Sequence, residues 1–310
     1  MVSNPLLVEI GPLKLSNPVI VASGTFGYAR ELAGFIDLNL LGGIVTKTVT
    51  QSPRLGNNTP RIVETPSGML NSIGLQNVGV ERFIKEKLPF LVALKVVVIV
   101  SIMGYTVEEF VGIAKRFNSV LGIDALELNL SCPNVAYDAG IKSQMFAHVP
   151  ELTEQVVSAV RQVSKYPIIA KLGPDVTDIQ DIGSAAENAG ADALSVMNTI
   201  PGMVIDTKSR LPVLSRKTGG LSGPAVRPIA VRLVYELAKR VNIPIIGIGG
   251  ITDSNDALQF IFAGAHAIQV GSVTFVNPKA PIDILEGIEI YMRNNSILEF
   301  SQMIGVAQKC

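Results

Sequence analysis

The sequence predicts an α/β fold of the (β/α)8 TIM-barrel type, with long active-site loops after its strands. Eight short, apolar, β-branched runs recur along the 310 residues, and helical patterns separate most of them. Continuous apolar runs are typical of parallel strands buried on both faces, and their alternation with helices is typical of α/β domains. A doubly wound open sheet is the competing architecture. The count of eight favours the barrel, as a single domain over residues 1–310.

The candidate elements follow in order along the chain. Thr106 and Glu109 form a capping-box pattern at one helix start, and Asp253 or Ser254 can cap a later helix. The predicted strands are residues 18–24, 42–49, 97–104, 125–132, 167–173, 193–199, 244–250 and 267–272. The predicted helices lie near 106–120, 151–165, 178–189, 227–241, 254–263 and 282–293.

Composition argues against several partner classes. The formal net charge is zero and tryptophan is absent, so neither a polyanion-binding patch nor a base-stacking platform is indicated. The richest apolar run, 96–104, lies between Lys95 and Glu108. It is far shorter than the about 20 residues that a spanning helix needs. The first residues do not resemble a secretory signal. We therefore expect a cytoplasmic protein without nucleic-acid or membrane partners.

Cysteine and histidine are scarce. Cys132 and Cys310 are the two cysteines, and His148 and His266 are the two histidines. An iron–sulfur cluster usually takes four cysteine thiolates, and zinc sites use similar numbers of Cys or His. We expect no metal site in this chain.

Three connections are too long to be simple turns: 50–80, 200–226 and the segment after Cys132, about 133–147. Long structured loops after barrel strands usually build the active site or its lid. Active sites of such barrels lie at the carboxyl ends of the strands. The predicted strand ends carry small, polar or cationic groups and no carboxylate: Ser23, Lys47, Thr48, Ser101, Asn129, Cys132, Lys171, Asn198, Thr199, Gly249, Gly250, Gly271 and Ser272.

The glycines after the last two strands indicate a phosphate-bearing ligand. The runs "IGIGGI" and "QVGS" place Gly249, Gly250, Gly271 and Ser272 after strands seven and eight. Loops at these positions commonly bind phosphate through backbone N–H groups, and glycine lets the backbone approach an anion closely.

The other polar residues each have more than one interpretation. Lys47 and Lys171 could extend to solvent from the rim, pair with a nearby acid, act as Schiff-base amines, or stabilise a flavin or substrate anion. Asn71, Asn129 and Asn198 could be turn residues or could bind a planar polar ligand, since an amide both donates and accepts. Cys132 could be a small buried hydrophobe, or a thiol that transfers a proton.

Six motifs together resemble the dihydroorotate dehydrogenase family over essentially the whole chain: "NLSCPN", "GMLNSIGLQN", "IVTKTVT", "PRIVE", "MNT" and "IGIGGI". The resemblance implies one FMN-binding TIM-barrel domain over 1–310, with one FMN per chain. It also implies the oxidation of dihydroorotate to orotate in de novo pyrimidine (UMP) biosynthesis.

The resemblance extends to a subtype. A cysteine at 132 and the lack of an amphipathic N-terminal extension are similar to the soluble class 1, and "ETPSGMLNSIGLQNVGV" resembles the class 1B catalytic subunit. Class 1B implies a catalytic homodimer within a heterotetramer. Its second kind of subunit carries FAD and a [2Fe–2S] cluster and reduces NAD⁺. The low cysteine count agrees with a cluster on a partner.

The resemblance also implies residue roles. Cys132 is the general base, Lys171 stabilises the reduced flavin, Lys47 holds the substrate anion, and 133–147 is a lid. Met197 stands where the family more often has Val or Ile, and Ser101 where many members have Asn. FMN contacts are expected at Ser23, Lys47, Thr48, Asn129, Lys171, Met197, Gly223, Gly249, Gly250, Gly271 and Ser272. Substrate contacts are expected at Lys47, Asn71, Ser72, Ile73, Gly74, Leu75, Asn129, Asn198 and Thr199.

Three alternatives stay open on the residues alone. A fumarate-dependent class 1A-like homodimer would perform the same chemistry with a different electron acceptor. A flavin-free barrel lyase would use Lys47 or Lys171 as a Schiff-base amine. A non-catalytic binder of a phosphate-bearing ligand is the third alternative, and the polar, cationic rim argues against it.

Overall fold

The computed structural model describes residues 4–131 and 146–309. Its centre is a closed barrel of eight parallel strands. The described residues also form strands outside the barrel. In chain order, all the strands are β1 (Val8–Ile10), β2 (Leu13–Leu15), β3 (Val19–Val21), β4 (Gly43–Val45), β5 (Ile62–Thr65), β6 (Gly68–Asn71), β7 (Val97–Ile102), β8 (Ala125–Asn129), β9 (Ile168–Leu172), β10 (Ala193–Val196), β11 (Ile200–Gly202), β12 (Ile205–Asp206), β13 (Leu211–Pro212), β14 (Gly219–Ser222), β15 (Ile245–Ile248) and β16 (Ala267–Val270).

The barrel runs β3-β4-β7-β8-β9-β10-β15-β16 and closes where β16 pairs with β3. These are the eight predicted strands, so the prediction of a (β/α)8 barrel is confirmed and the open sheet is excluded. The predicted runs extend past several strands at their carboxyl ends. The run 42–49, for example, contains a strand that ends at Val45. Its last residues already belong to the rim, where apolar and polar residues point into a cavity.

Helices surround the barrel. The helices are α1 (Gly79–Arg82), α2 (Leu88–Val92), α3 (Val107–Phe117), α4 (Pro150–Val163), α5 (Ile179–Asn188), α6 (Arg227–Leu237), α7 (Ser254–Ala263) and α8 (Ala280–Asn294). The six predicted helices correspond to α3–α8. The pair α1–α2, which a π-helical turn at Phe83–Lys87 joins, was not predicted.

Two predicted helix caps are refined by the structure. Thr106 Oγ1 accepts from the Glu109 backbone N–H at 3.3 Å, as expected. The Glu109 carboxylate, however, accepts from the N–H of Tyr105 at 2.7 Å, so the capping box is displaced by one residue. At α7 the cap is Asp253, whose Oδ1 accepts from the Asp256 N–H at 2.9 Å.

The core lies between the barrel and its helices. Strands β8, β9, β10, β15 and β16 are buried along their whole length. Helix α3 shows how a helix covers them: Phe110, Ile113, Ala114 and Phe117 form one buried stripe at helical spacing. Within the described ranges, no helix is long and apolar enough to cross a membrane.

The two long connections 50–80 and 200–226 form one small sheet. Its strand order is β11-β14-β6-β5, and β6 pairs antiparallel with β14 so that Asn71 lies opposite Gly220. Two separate hairpins, β1–β2 and β12–β13, complete the strands. The four-stranded sheet lies at the carboxyl ends of the barrel strands, where it contributes to the cavity described next.

Candidate active site

A cavity opens at the carboxyl ends of the barrel strands and encloses about 1220 Å³ of empty space, mouth included. No Asp or Glu from the described part of the chain lines it. The candidates that line it are Ser23, Lys47, Thr48, Asn71, Ile73, Leu75, Asn129, Lys171, Met197, Asn198, Thr199, Gly249, Gly250, Gly271 and Ser272.

Cys132, the predicted base, lies outside the described residues, as does the predicted lid up to residue 145. Three other candidates do not line the cavity: Ser72, Gly74 and Gly223. Lining residues that sequence reasoning did not single out are Ala22, Gly24, Thr25, Ile62, Met69, Leu221, Ser222, Val226, Ile248, Ile251 and Phe275. They belong to loop ends and to the small sheet, whose pairing has no local signal in the sequence.

The segment after β6 alternates between two faces, which explains why only part of it reaches the cavity. Asn71, Ile73 and Leu75 line the cavity, whereas Ser72 is fully buried on the opposite side. There the Asn57 side chain donates to the Ser72 carbonyl at 2.9 Å and to its hydroxyl at 3.2 Å. Gly74 also packs against Asn57. Through these contacts with Asn57, Ser72 and Gly74 support the segment from behind.

Gly223 supports the glycine loops instead of facing the cavity. Its φ of 101° belongs to a region that favours glycine, and its Cα packs against Gly68. Its carbonyl lies so close to Gly250 that a Cβ built on Gly250 would be 2.7 Å from that oxygen. Gly249 and Gly250 also have positive φ, 133° and 72°. Both glycines line the cavity, and a Cβ at either position would be crowded by neighbouring protein atoms.

A row of polar side chains crosses the cavity from β3 to β10. The Ser23 and Thr48 hydroxyls lie 3.2 Å apart, and Asn129 Nδ2 donates to Thr48 Oγ1 at 3.3 Å. Asn198 Nδ2 then donates to Asn129 Oδ1 at 3.2 Å. Each amide is therefore held in one orientation, with its donors and acceptors assigned.

Ser101 lies beneath this row. It is fully buried, it does not line the cavity, and its hydroxyl is 3.0 Å from Thr48 Oγ1. Its contact is therefore with the Thr48 side chain that lines the cavity.

Asn198 also anchors the chain next to the predicted base. Its Nδ2 contacts the Ser131 carbonyl at 3.1 Å and the Ser131 hydroxyl at 3.2 Å. Ser131 is 2% exposed. The polar row thus continues to the residue that precedes Cys132.

Among the described residues, two lysines line the cavity and give it positive charge. Lys171, at the end of β9, is only 5% exposed, and its Nζ lies 3.7 Å from Glu127 Oε1. Lys47, after β4, lines the cavity, and its backbone N–H donates to the Gly27 carbonyl at 2.8 Å.

Glu127 is fully buried and accepts from Gln269 Nε2 at 3.0 Å. Glu127 and Gln269 were not among the predicted site residues, although a charged residue inside "ALELN" is an available signal.

The donor set fits FMN. Backbone N–H groups in the loops after β15 and β16 suit a phosphate. The polar row and Lys171 suit a planar ring system with several hydrogen-bonding edges. In residues 4–131 and 146–309, no group of three or more His, Cys, Asp or Glu side chains could hold a metal ion.

Comparison with known proteins gives a consistent result. The family model described as dihydroorotate dehydrogenase matches residues 5–292. A protein of Trichlorobacter lovleyi is 50% identical over 301 residues, which cover 97% of this chain and 98% of that relative. A Pelobacter propionicus protein is 49% identical over 303 residues, 98% of each chain. Both relatives are named dihydroorotate dehydrogenase B (NAD⁺), catalytic subunit.

A solved structure supports the fold. The dihydroorotate dehydrogenase of Eimeria tenella, in complex with ferulenol, matches with a TM-score of 0.81. The match covers 99% of this chain and 90% of that one, at 22% sequence identity. At this identity the likeness concerns the barrel architecture.

Proposed function

Because the chain belongs to the dihydroorotate dehydrogenase family, we propose that it is the catalytic subunit of an NAD⁺-linked dihydroorotate dehydrogenase. It is a flavin-dependent oxidoreductase of pyrimidine biosynthesis, and this excludes the flavin-free lyase and the non-catalytic binder. The reaction that we propose is the oxidation of dihydroorotate to orotate, with electrons passed on to NAD⁺. We also propose that residues 1–310 form one FMN-binding domain. The cytoplasmic location stays a prediction.

One observation carries the residue assignments: a fixed row of hydroxyl and amide groups, Ser23 to Asn198, lies in the same cavity as Lys171 and the glycine loops. FMN, when bound, supplies the chemistry of hydride acceptance from carbon 6 of dihydroorotate. We assign the backbone at Gly249, Gly250, Gly271 and Ser272 to the phosphate of FMN. Gly223 acts behind these residues.

Lys171 provides a cation for the flavin edge that becomes negative on reduction. Its low exposure and its place at the end of β9 support this role, because a buried charge acts more strongly than a solvated one. Ser23, Lys47, Thr48, Asn129 and Met197 complete the cofactor contacts that we propose. Ser101 acts indirectly, through the Thr48 hydroxyl.

The substrate lies between the polar row and the small sheet in this proposal. Lys47 pairs with the carboxylate of dihydroorotate, and Asn71, Asn129, Asn198 and Thr199 hydrogen-bond its carboxylate and pyrimidine edge. Ile73 and Leu75 supply apolar walls, and all of these residues line the cavity. Ser72 and Gly74 hold the segment in place against Asn57.

We assign the proton transfer to Cys132. Its thiolate removes the proton from carbon 5 while the hydride leaves carbon 6. Cysteine has an ordinary pKa of about 8.5, so part of it is ionised near neutral pH and it can also release the proton again. The hydrogen bonds from Asn198 to Ser131 support the assignment, since they tie the residue next to Cys132 to a side chain that lines the cavity.

The electrons leave through a partner in our proposal. A [2Fe–2S] cluster usually takes four cysteines, and the printed sequence has two. We therefore propose a partner subunit with FAD and [2Fe–2S], in a heterotetramer built on a catalytic homodimer. The names of the two relatives support a partner subunit, because they include NAD⁺ and the words catalytic subunit.

The test is purification of the chain alone and coexpressed with the proposed electron-transfer subunit, followed by a visible spectrum and three assays. Dihydroorotate oxidation is measured with NAD⁺, with fumarate and with a dye. We expect flavin absorbance in both preparations, dye reduction by both, and NAD⁺ reduction only by the complex. Efficient fumarate reduction by the isolated chain would favour the class 1A-like homodimer.

A further inference from the structure

The barrel interior below the cavity floor is unusually polar. Glu127, Ser195 and Gln269 are fully buried there, on β8, β10 and β16. Barrel interiors are normally filled by layers of bulky apolar side chains. A carboxylate without solvent is unfavourable unless it is paired and hydrogen-bonded. The position of Glu127 therefore calls for a physical reason.

The two oxygens of Glu127 have different surroundings. Oε2 accepts from Gln269 Nε2 at 3.0 Å. Oε1 accepts no hydrogen bond from any described residue and lies 3.7 Å from the Lys171 ammonium. The carboxylate thus has one oxygen held by an amide and the other turned toward the cation of the cavity floor.

Barrel geometry makes this arrangement directional. Strands β8 and β16 are four places apart in the eight-strand order, so Gln269 reaches Glu127 from the opposite wall. On the other side, β9 is the direct neighbour of β8, and Lys171 on β9 pairs in register with Asn129 on β8. Glu127 is two residues before Asn129 on the same strand, which places it on the same interior face, one layer below Lys171.

We propose that Glu127 is a positioning residue for Lys171: held by Gln269 from across the barrel, it fixes the ammonium at the cavity floor and offsets part of its charge. The pair thereby sets how strongly the site favours reduced over oxidised flavin. This inference rests on the proposed function, because it requires FMN beside Lys171.

The expected sign follows from electrostatics. An ammonium alone presents a full positive charge to the cavity, whereas an ammonium with a carboxylate 3.7 Å behind it presents a weaker, oriented dipole. Reduction adds negative charge to the flavin, so a stronger positive field favours the reduced form. Removal of the Glu127 charge should make the midpoint potential of bound FMN more positive.

Glu127→Gln tests this with little change of shape, because its single amide oxygen can still accept from Gln269 while the negative charge beside Lys171 is removed. Three variants accompany it in the holoenzyme. Lys171→Met removes the cation, and Glu127→Asp keeps the charge but withdraws it by one methylene. Ser195→Ala is the matched control: its hydroxyl is fully buried, lies in register with Lys171 and has no hydrogen-bond partner in the described ranges.

The readout is the midpoint potential of bound FMN, by equilibration with reference dyes in wild type and each variant. We expect a positive shift in Glu127→Gln, a smaller positive shift in Glu127→Asp, a negative shift in Lys171→Met and no shift in Ser195→Ala. If Glu127→Gln does not retain FMN, the Glu127→Asp shift decides.

Suppose that Lys171→Met lowers the midpoint potential but the Glu127 variants leave it unchanged or make it more negative. Glu127 would then have only a structural role. An unchanged potential in Lys171→Met would instead overturn the placement of FMN beside the lysine, and with it the basis of the inference. A shift in Ser195→Ala equal to that of Glu127→Gln would also overturn it, since packing alone would then account for the effect.

Discussion

Asn198 donates from Nδ2 to Asn129 Oδ1 at 3.2 Å, and this contact fixes which way both amides face. Asn198 Oδ1 is occupied as well, because it accepts from the Thr199 backbone N–H at 2.8 Å. Asn129 Nδ2 in turn donates to Thr48. Two amides that could each adopt either orientation are therefore held in one pattern at the proposed substrate site.

Asn198→Asp should weaken orotate binding about tenfold or more. The new carboxylate would place an oxygen where Nδ2 now faces Asn129 Oδ1 and the Ser131 carbonyl, which are both acceptors. The loss of a buried hydrogen bond with an acceptor left unpaired costs about 1–3 kcal/mol, and each 1.4 kcal/mol is about a factor of ten.

Titration of the flavin spectrum with orotate measures this change. The exposed Asn242 gives the matched control, because Asn242→Asp makes the same chemical change at the surface. Equal orotate affinity in wild type and Asn198→Asp would contradict the assignment of Asn198 to the substrate.

Cys132→Ala should lower kcat by about 10²–10⁴-fold, the usual contribution of a general base, and should leave FMN bound. Cys132→Ser should retain weak activity with its pH optimum moved upward, because a hydroxyl ionises less readily than a thiol. Steady-state rates across pH and the visible spectrum of each variant test both statements. Near-normal turnover by Cys132→Ala would remove Cys132 from the mechanism.

Gly250→Ala should weaken FMN binding about tenfold. The φ of 72° is unfavourable for any residue with a Cβ, and that Cβ would lie 2.7 Å from the Gly223 carbonyl oxygen. Such a conformation costs about 1–2 kcal/mol before the clash is counted. The FMN dissociation constant, from flavin fluorescence on dilution of the holoenzyme, measures the effect.

Gly34→Ala is the control for this experiment, since Gly34 is exposed and its Cβ would meet nothing within 4 Å. It should retain wild-type FMN affinity. If both variants retain FMN equally, the loop at Gly250 does not hold the cofactor.

His266 should make the free energy of unfolding pH-dependent. Burial lowers the pKa of its imidazole below the ordinary value, against a smaller opposite effect of a backbone hydrogen bond at Gly264. The unfolded chain therefore binds the proton more readily than the folded one. Stability should be highest above about pH 6.5 and should fall as the pH falls below that value.

His266→Gln removes this titration. Urea unfolding at several values from about pH 7.5 to about pH 5.5 should show a smaller loss of unfolding free energy toward acid in the variant than in wild type. His266 precedes β16, at the end of the barrel away from the cavity, so FMN content should not change. Parallel pH dependences for the two proteins would contradict the prediction.

Much of the barrel could be predicted because its signals are local. The runs that became β8 and β9 are mostly apolar, and the Asp253 cap at α7 is a short-range pattern. The polar strand ends also follow from the barrel, since carboxyl ends of parallel strands meet at one rim. Lys47, Asn129 and Lys171 were predicted to share a cavity for this reason, and they do.

The rest depends on contacts between distant parts of the chain. The split of 71–75 into two faces depends on Asn57, whose side chain fills the space behind Ser72 and Gly74. The wall formed by Met69 and Leu221 depends on the pairing of β6 with β14. Glu127 was not predicted as a site residue, because the strand pattern predicts a buried position. A buried charge is unfavourable without a partner, and its partners, Gln269 and Lys171, lie on other strands.

The pairing of Asn71 with Gly220 also bears on the order of folding. These residues are 149 positions apart, and a chain loop of that length has a large closure entropy while the chain is still unfolded. The intervening barrel strands bring the two ends together, so β6 and β14 gain their contact only after most of the barrel has formed. We therefore expect the cavity to be completed late in folding. In native-state hydrogen exchange, the amides of β6 and β14 should open at lower free energy than those of β8 and β9.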